Sequence, residues 1–180
     1  MPSKKNPNKI IVVDLEATCW ENDPEPYPEI IEIGMVTVIS DNGFSLNEPS
    51  RIKVRPTTTK ISEYCTKLTG WTWKELRRDA VPFKAACKQI VKKGFRNCVF
   101  GSWGNDQNLI KTQCKREKIE YPLGTTFLNI QNLFAIKYGL NKEPSLEDAL
   151  KMLEMNFIGR QHSGMDDAYN TALILIELLK

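Results

Sequence analysis

"IIVVDLEATCW", residues 10–20, sets four apolar β-branched residues directly ahead of two carboxylates, Asp14 and Glu16. Such side chains fit a pleated surface, so Ile10 to Val13 read as the start of a buried strand. Strand side chains alternate, which puts Asp14 and Glu16 on the same side. Paired carboxylates at the end of a core strand lose hydration and repel each other. They require protons, basic partners or metal ions. Residues 10–20 contain no basic side chain, so any partner has to come from elsewhere in the fold.

Outward from this strand, residues 1–8 are polar with two prolines and predict a flexible tail, and 21–28 predict a loop. "EIIEIGMVTVI" (29–39) reads as a second strand, "DNG" (41–43) as a turn, and Arg51 to Val54 as a third strand completing an antiparallel meander. Helical patterns follow. Thr72 with Glu75 is a capping box for a short helix over Trp73 to Arg77, and Pro82 to Lys93 is amphipathic and stopped by Gly94. "NCVFGSW" (97–103) predicts a strand, Asn105 to Glu117 a helix, Thr126 to Leu128 a strand, and Ile130 to Tyr138 a helix. Ser145 with Asp148 caps a further helix, and Asp166 to Leu179 forms an apolar terminal one. Strands first, then strands alternating with helices, indicate a mixed sheet flanked by helices, an α/β domain spanning 9–180.

Composition narrows the classes. The 180 residues are 41% hydrophobic and 26% charged, ordinary values for a soluble domain. No apolar run is long enough to span a bilayer and the opening MPSKKNPNK lacks a signal-peptide core, so the expectation is a cytoplasmic protein with no membrane partner. Five widely spaced cysteines without a CxxC argue against a disulfide framework or a zinc site. The net charge of +3 is mild; Lys111, Lys115 and Lys118 share a helical face, and a solvated surface accounts for that pattern.

More acids sit at the starts of helices: Asp106 after "CVFGSW", and Asp166 and Asp167 before the terminal helix. An acid in a first helical turn meets the helix dipole favourably, so each has a structural explanation as well. His162, the only histidine, precedes Asp167 by five positions in "RQHSGMDDAYNTA". Histidine is the side chain best suited to take up and return a proton near neutral pH. Four carboxylates and a histidine at the ends of different elements form a coherent set for phosphodiester hydrolysis. Two divalent ions roughly 4 Å apart activate water and stabilise the leaving oxygen in such chemistry. Hard oxygen ligands favour Mg²⁺ or Mn²⁺.

The order "DLEAT", "WGNDQNL", "HSGMDD" resembles the DEDDh group of 3′→5′ exonucleases, whose fold is ribonuclease H-like, a central mixed sheet of about five strands flanked by helices. "EIIEIGMV", "CTKLTG" and "GRQHSGMDDAYNTA" further resemble its ERI-like exoribonuclease branch. The resemblance implies metal-binding roles for Asp14, Glu16, Asp106 and Asp167, with Glu16 also counted as catalytic beside the general base His162. It implies hydrolysis at RNA 3′ ends with release of nucleoside 5′-monophosphates. Leu15, Ala17 and Thr18 are expected to contact the terminal ribose, where a 2′-hydroxyl distinguishes RNA from DNA, and Tyr64 and Trp103 to stack on the terminal base. The competing expectations are a DNA-preferring exonuclease and a non-catalytic nucleic-acid-binding module of the same fold.

Overall fold

A computed structural model describes residues 8–21, 27–41 and 43–180; most of the expected tail, the loop at 22–26 and Asn42 of the expected turn lie outside them. The chain order is β1 (Lys9–Ala17), β2 (Ile30–Ile39), β3 (Ser45–Leu46), β4 (Ser50–Arg55), α1 (Glu63–Thr69), α2 (Trp73–Asp79), β5 (Val81–Pro82), α3 (Phe83–Lys92), β6 (Val99–Ser102), α4 (Asp106–Glu117), β7 (Phe127–Asn129), α5 (Ile130–Lys137), α6 (Leu146–Met152) and α7 (Gly164–Leu179). A 3₁₀ turn at Phe95–Asn97 precedes β6.

One mixed sheet runs β5-β4-β2-β1-β6-β7, with β3 added to β2. The expected meander is present: β1 pairs antiparallel with β2, and β2 antiparallel with β4. β6 lies parallel to β1 on its other side, with β7 parallel to β6. The sheet exceeds the expected size because β3 and β5 are two-residue strands, too short to leave a period in the sequence.

Both faces of the sheet are covered. Ile11 and Val13 of β1 face a cluster with Ile33, Met35, Phe83 and Ile90, while Val12 faces Val36, Ala168, Ala172 and Leu175 under α7. Alternation therefore assigns Asp14 and Glu16 to the α7 face. β2 is buried along nearly its whole length, which is why it reads as a continuous apolar run rather than an alternating one. A bulge interrupts the β1–β2 ladder at Glu16 and Ala17, where Glu16 pairs with Glu32 and Ala17 with Ile30. Caps fix several helix starts. Ser62 caps α1, the Thr72–Glu75 box caps α2, and Ser145 caps α6. Among the described residues no helix is long and apolar enough to cross a membrane.

Candidate active site

The three elements that carry the acids meet because of how the sheet is wound. β6 runs parallel to β1, so α4, which follows it, starts beside the end of β1 and brings Asp106 there. α7 crosses the same sheet face and starts against β2. Gly34 makes that approach possible: a Cβ on it would collide with the Gly164 backbone. Oxygens of Asp14, Glu16 and Asp167 consequently lie within 4.8 Å of one another. Asp106 stands beside this trio. Its Leu15 N–H bond holds one face of the carboxyl, and its Oδ2 is buried with no hydrogen-bond partner.

The electrostatics of the cluster are those of carboxylates waiting for positive charge. Burial, with Asp106 and Asp167 next in effect, pushes Asp14 well above the usual carboxylate range. Burial and then Asp167 push Glu16 up to about 8. Burial also lifts Asp106 to about 7, against the Leu15 N–H, and lifts Asp167 to about 7, against the N–H groups of His162 and Ser163. The donor set is all oxygen, converging and with a buried orphan acceptor, so it fits Mg²⁺ or Mn²⁺ better than a soft metal.

His162 is exposed and takes a left-handed backbone conformation, φ 58°. That conformation directs its N–H back to the Asp167 carboxylate. The segment carrying it is clamped by Arg160. Its guanidinium donates to the Thr69 carbonyl at the end of α1 and, at 3.3 Å, to the His162 carbonyl, and its N–H donates to Asp166 Oδ2 at 3.1 Å. Asp166 thus has a structural partner of its own.

The expected substrate contacts are placed unevenly. Tyr64 is 38% exposed on α1, free to meet a ligand. Trp103 is half-buried, edge-on to Phe134 at 5.8 Å with its Nε1–H donating to the Pro144 carbonyl, so part of its ring is committed to packing. Leu15 packs into the core with its N–H on Asp106, and Ala17 is half-buried beyond the bulge. The Thr18 hydroxyl is buried and engaged by the Glu29 N–H and by Thr59, both at 2.9 Å, which leaves its backbone as the available part.

Sequence reading missed Glu32, which is fully buried beneath the cluster. It accepts from Trp71 Nε1–H at 2.6 Å and from the Met165 N–H at 3.0 Å, with Arg51 Nε 3.5 Å away. Arg51 also donates to Ser163 Oγ at 3.1 Å. Glu32 thereby satisfies the first turn of α7 from the sheet face beneath it, since Ser163 makes no side-chain cap. A second acid inside a continuous apolar run, "EIIEIG", was the available signal.

The exonuclease family RNase_T matches residues 11–175. The rat protein "3'-5' exoribonuclease 1" is 30% identical over 190 residues, covering 95% of this chain and 53% of the relative. The mouse "ERI1 exoribonuclease 2" is 28% identical over 199 residues, covering 95% of this chain and 28% of the relative. The chain thus spans about half the length of the first relative and less of the second. Among solved structures, the nuclease domain of 3'hExo, a DEDDh family member bound to rAMP, superposes with a TM-score of 0.85 at 26% identity, covering 98% of this chain and 94% of that one. With its acids gathered from β1, α4 and α7 and its histidine just ahead of α7, the chain belongs to the RNase_T exonuclease family and has the fold of its DEDDh members.

Proposed function

We propose that this protein is a metal-dependent 3′→5′ exonuclease that trims single-stranded RNA ends or overhangs and releases nucleoside 5′-monophosphates. The observation that carries the reading is the convergence of Asp14, Glu16 and Asp167 within 4.8 Å, with the orphaned Asp106 Oδ2 beside them. Asp14, Glu16, Asp106 and Asp167 would hold two divalent cations, whose chemistry is to polarise the attacking water and the scissile phosphate. Glu16, beside the bulge, would orient the attacking water. His162, exposed at the rim, accepts the water's proton at its imidazole. Its backbone is fixed in the left-handed conformation and its segment is held by Arg160. Tyr64 and the exposed part of Trp103 stack on the terminal base, and the backbone at Leu15 to Thr18 reads the terminal 2′-hydroxyl. The RNA preference draws on the names of the rat and mouse relatives and on the rAMP bound to the solved nuclease domain.

The test is incubation of purified protein with 5′-labelled RNA and DNA of one sequence, with Mg²⁺, Mn²⁺ or EDTA. A ladder shortening from the 3′ end on RNA, absent with EDTA, is the expected result. Shortening of DNA alone moves the assignment to the DNA-preferring reading. No shortening of either strand under any metal leaves a binding module of the same fold.

A further inference from the structure

We infer that the cleft between α3 and the end of α4 is a docking surface for the phosphate backbone of the RNA upstream of its 3′ end. This rests on the proposed exonuclease function. The cleft, about 360 Å³, is lined by Lys84, Lys88 and Lys92 on one face of α3, by Arg96, and by Lys118 and Glu120 after α4. Five cations against one acid give it +4, while the whole chain carries +3, so the rest of the molecule sums to −1. The cleft alone thus carries more net positive charge than the whole chain.

The local chemistry fits a polyanion. Spacing of four residues sets Lys84, Lys88 and Lys92 in a row along α3. All three are exposed, and none forms an ion pair among the described residues. Lys118 is held out at the end of α4 in a left-handed conformation, φ 54°. Arg96 pairs with Glu120 at 2.9 Å and donates to the Tyr121 carbonyl, and its side chain stays 33% exposed at the cleft. Cys87, Val91 and Ile119 supply apolar surface on the lining against which riboses can rest. α4 links the two places: it starts at Asp106 in the acidic cluster and its twelve residues end at the cleft. That is ~18 Å at the rise of an α-helix, a length of strand of about five stacked nucleotides. The acidic centre repels phosphate until cations bind it, so a remote basic surface gives the substrate a hold that does not depend on them.

The test replaces Lys84, Lys88 and Lys92 together by glutamine, which neutralises charge on an exposed helical face without disturbing the fold. Binding of a labelled 15-nucleotide RNA is followed by fluorescence anisotropy in EDTA across a salt series, and turnover of a trinucleotide is followed with Mg²⁺. The expected result is a Kd for the long RNA raised about tenfold or more and a salt slope smaller by about two, the value of three lost phosphate contacts. Trinucleotide turnover stays unchanged. An unaltered Kd and slope overturn the inference and leave the cleft to an acidic protein surface or to solvent. An equal loss on the trinucleotide also overturns it, because the substitutions then act through the catalytic centre. Should the parent protein cleave nothing while the triple variant still loses binding, the exonuclease reading fails and the docking surface stands.

Discussion

Two glutamates with similar burial end at opposite extremes. Glu29 is 1% exposed and Glu16 8% exposed, and burial raises both. Glu29 nevertheless falls to about 2, because N–H and O–H groups of Thr57, Thr58 and Thr59 make five hydrogen bonds to it. Glu16 has acids for neighbours instead and rises to about 8. Glu29 has donors and is structural; Glu16, set against other acids, fits the proposed cation site. Asp14→Asn removes one such charge, so the metal-free protein should gain about 1 kcal/mol, read as a Tm higher by ~2–4 °C, while Mn²⁺ affinity measured by calorimetry falls. A lower Tm in EDTA would make Asp14 a structural residue. His162→Ala should lower kcat by about two to four orders of magnitude with Mn²⁺ affinity retained. The left-handed backbone at His162 tolerates Asn well, so His162→Asn separates the base from the fold. Its kcat should fall as far as that of the alanine variant, and near-parental activity in the asparagine variant would remove His162 from proton transfer.

At the scale of elements, the site depends on where α7 starts. Gly34 admits the Gly164 backbone, Glu32 accepts the Met165 N–H, and Arg51 reaches Ser163. Gly34→Ala forces the strand and helix apart, an overpacking cost of about 1–3 kcal/mol. Asp167 moves with the helix, so kcat should fall at least tenfold even where the variant remains folded, as checked by circular dichroism beside the nuclease assay. A variant with a lowered Tm and unchanged kcat would show that the close approach serves stability alone. The long elements were legible in the sequence because their periods are strong: β1, β2, α3 and α7 each hold a buried stripe or run. α1 was not anticipated. Its seven residues include two threonines, poor helix formers, and its Ser62 cap and left-handed Gly70 matter only once the chain is folded back on Cys19 and Arg160. The start of α7 at Gly164 rather than Asp166 was hidden for a related reason, since its cap is Glu32, far away in sequence. Local signals reveal local caps. The positions of Asp14, Glu16, Asp106, His162 and Asp167 were legible as ordered motifs, while the residues that hold them together, Glu32, Arg51 and Arg160, act across the fold and leave no spacing to read.

For the whole molecule, these groups tie stability to pH and to metal in opposite senses. Glu16, Asp106 and Asp167 have folded values of about 8, 7 and 7 against ordinary values of 4.5, 3.8 and 3.8. A raised carboxyl contributes stability that is complete below its unfolded value and is lost as pH rises through the folded one. Glu29 works the other way: its contribution is present above 4.5 and lost as pH falls through about 2. Glu32 and Asp14 add to the repulsion at the cluster, and Arg160 only partly offsets it at Glu16. In EDTA the Tm should therefore decline steadily as pH rises from about 5 towards about 9. Mn²⁺ bound to the ionised acids, as proposed, would flatten that decline. At a hundredfold excess over Kd the ion stabilises by about 2.7 kcal/mol, or ~5–10 °C in Tm. Scanning calorimetry from about pH 5 to about pH 9, with EDTA and with Mn²⁺, measures both effects. A metal-free Tm that is flat or rises over this range would mean that the acids are not packed against one another in solution. A decline that Mn²⁺ fails to relieve would mean that they are packed but do not bind it.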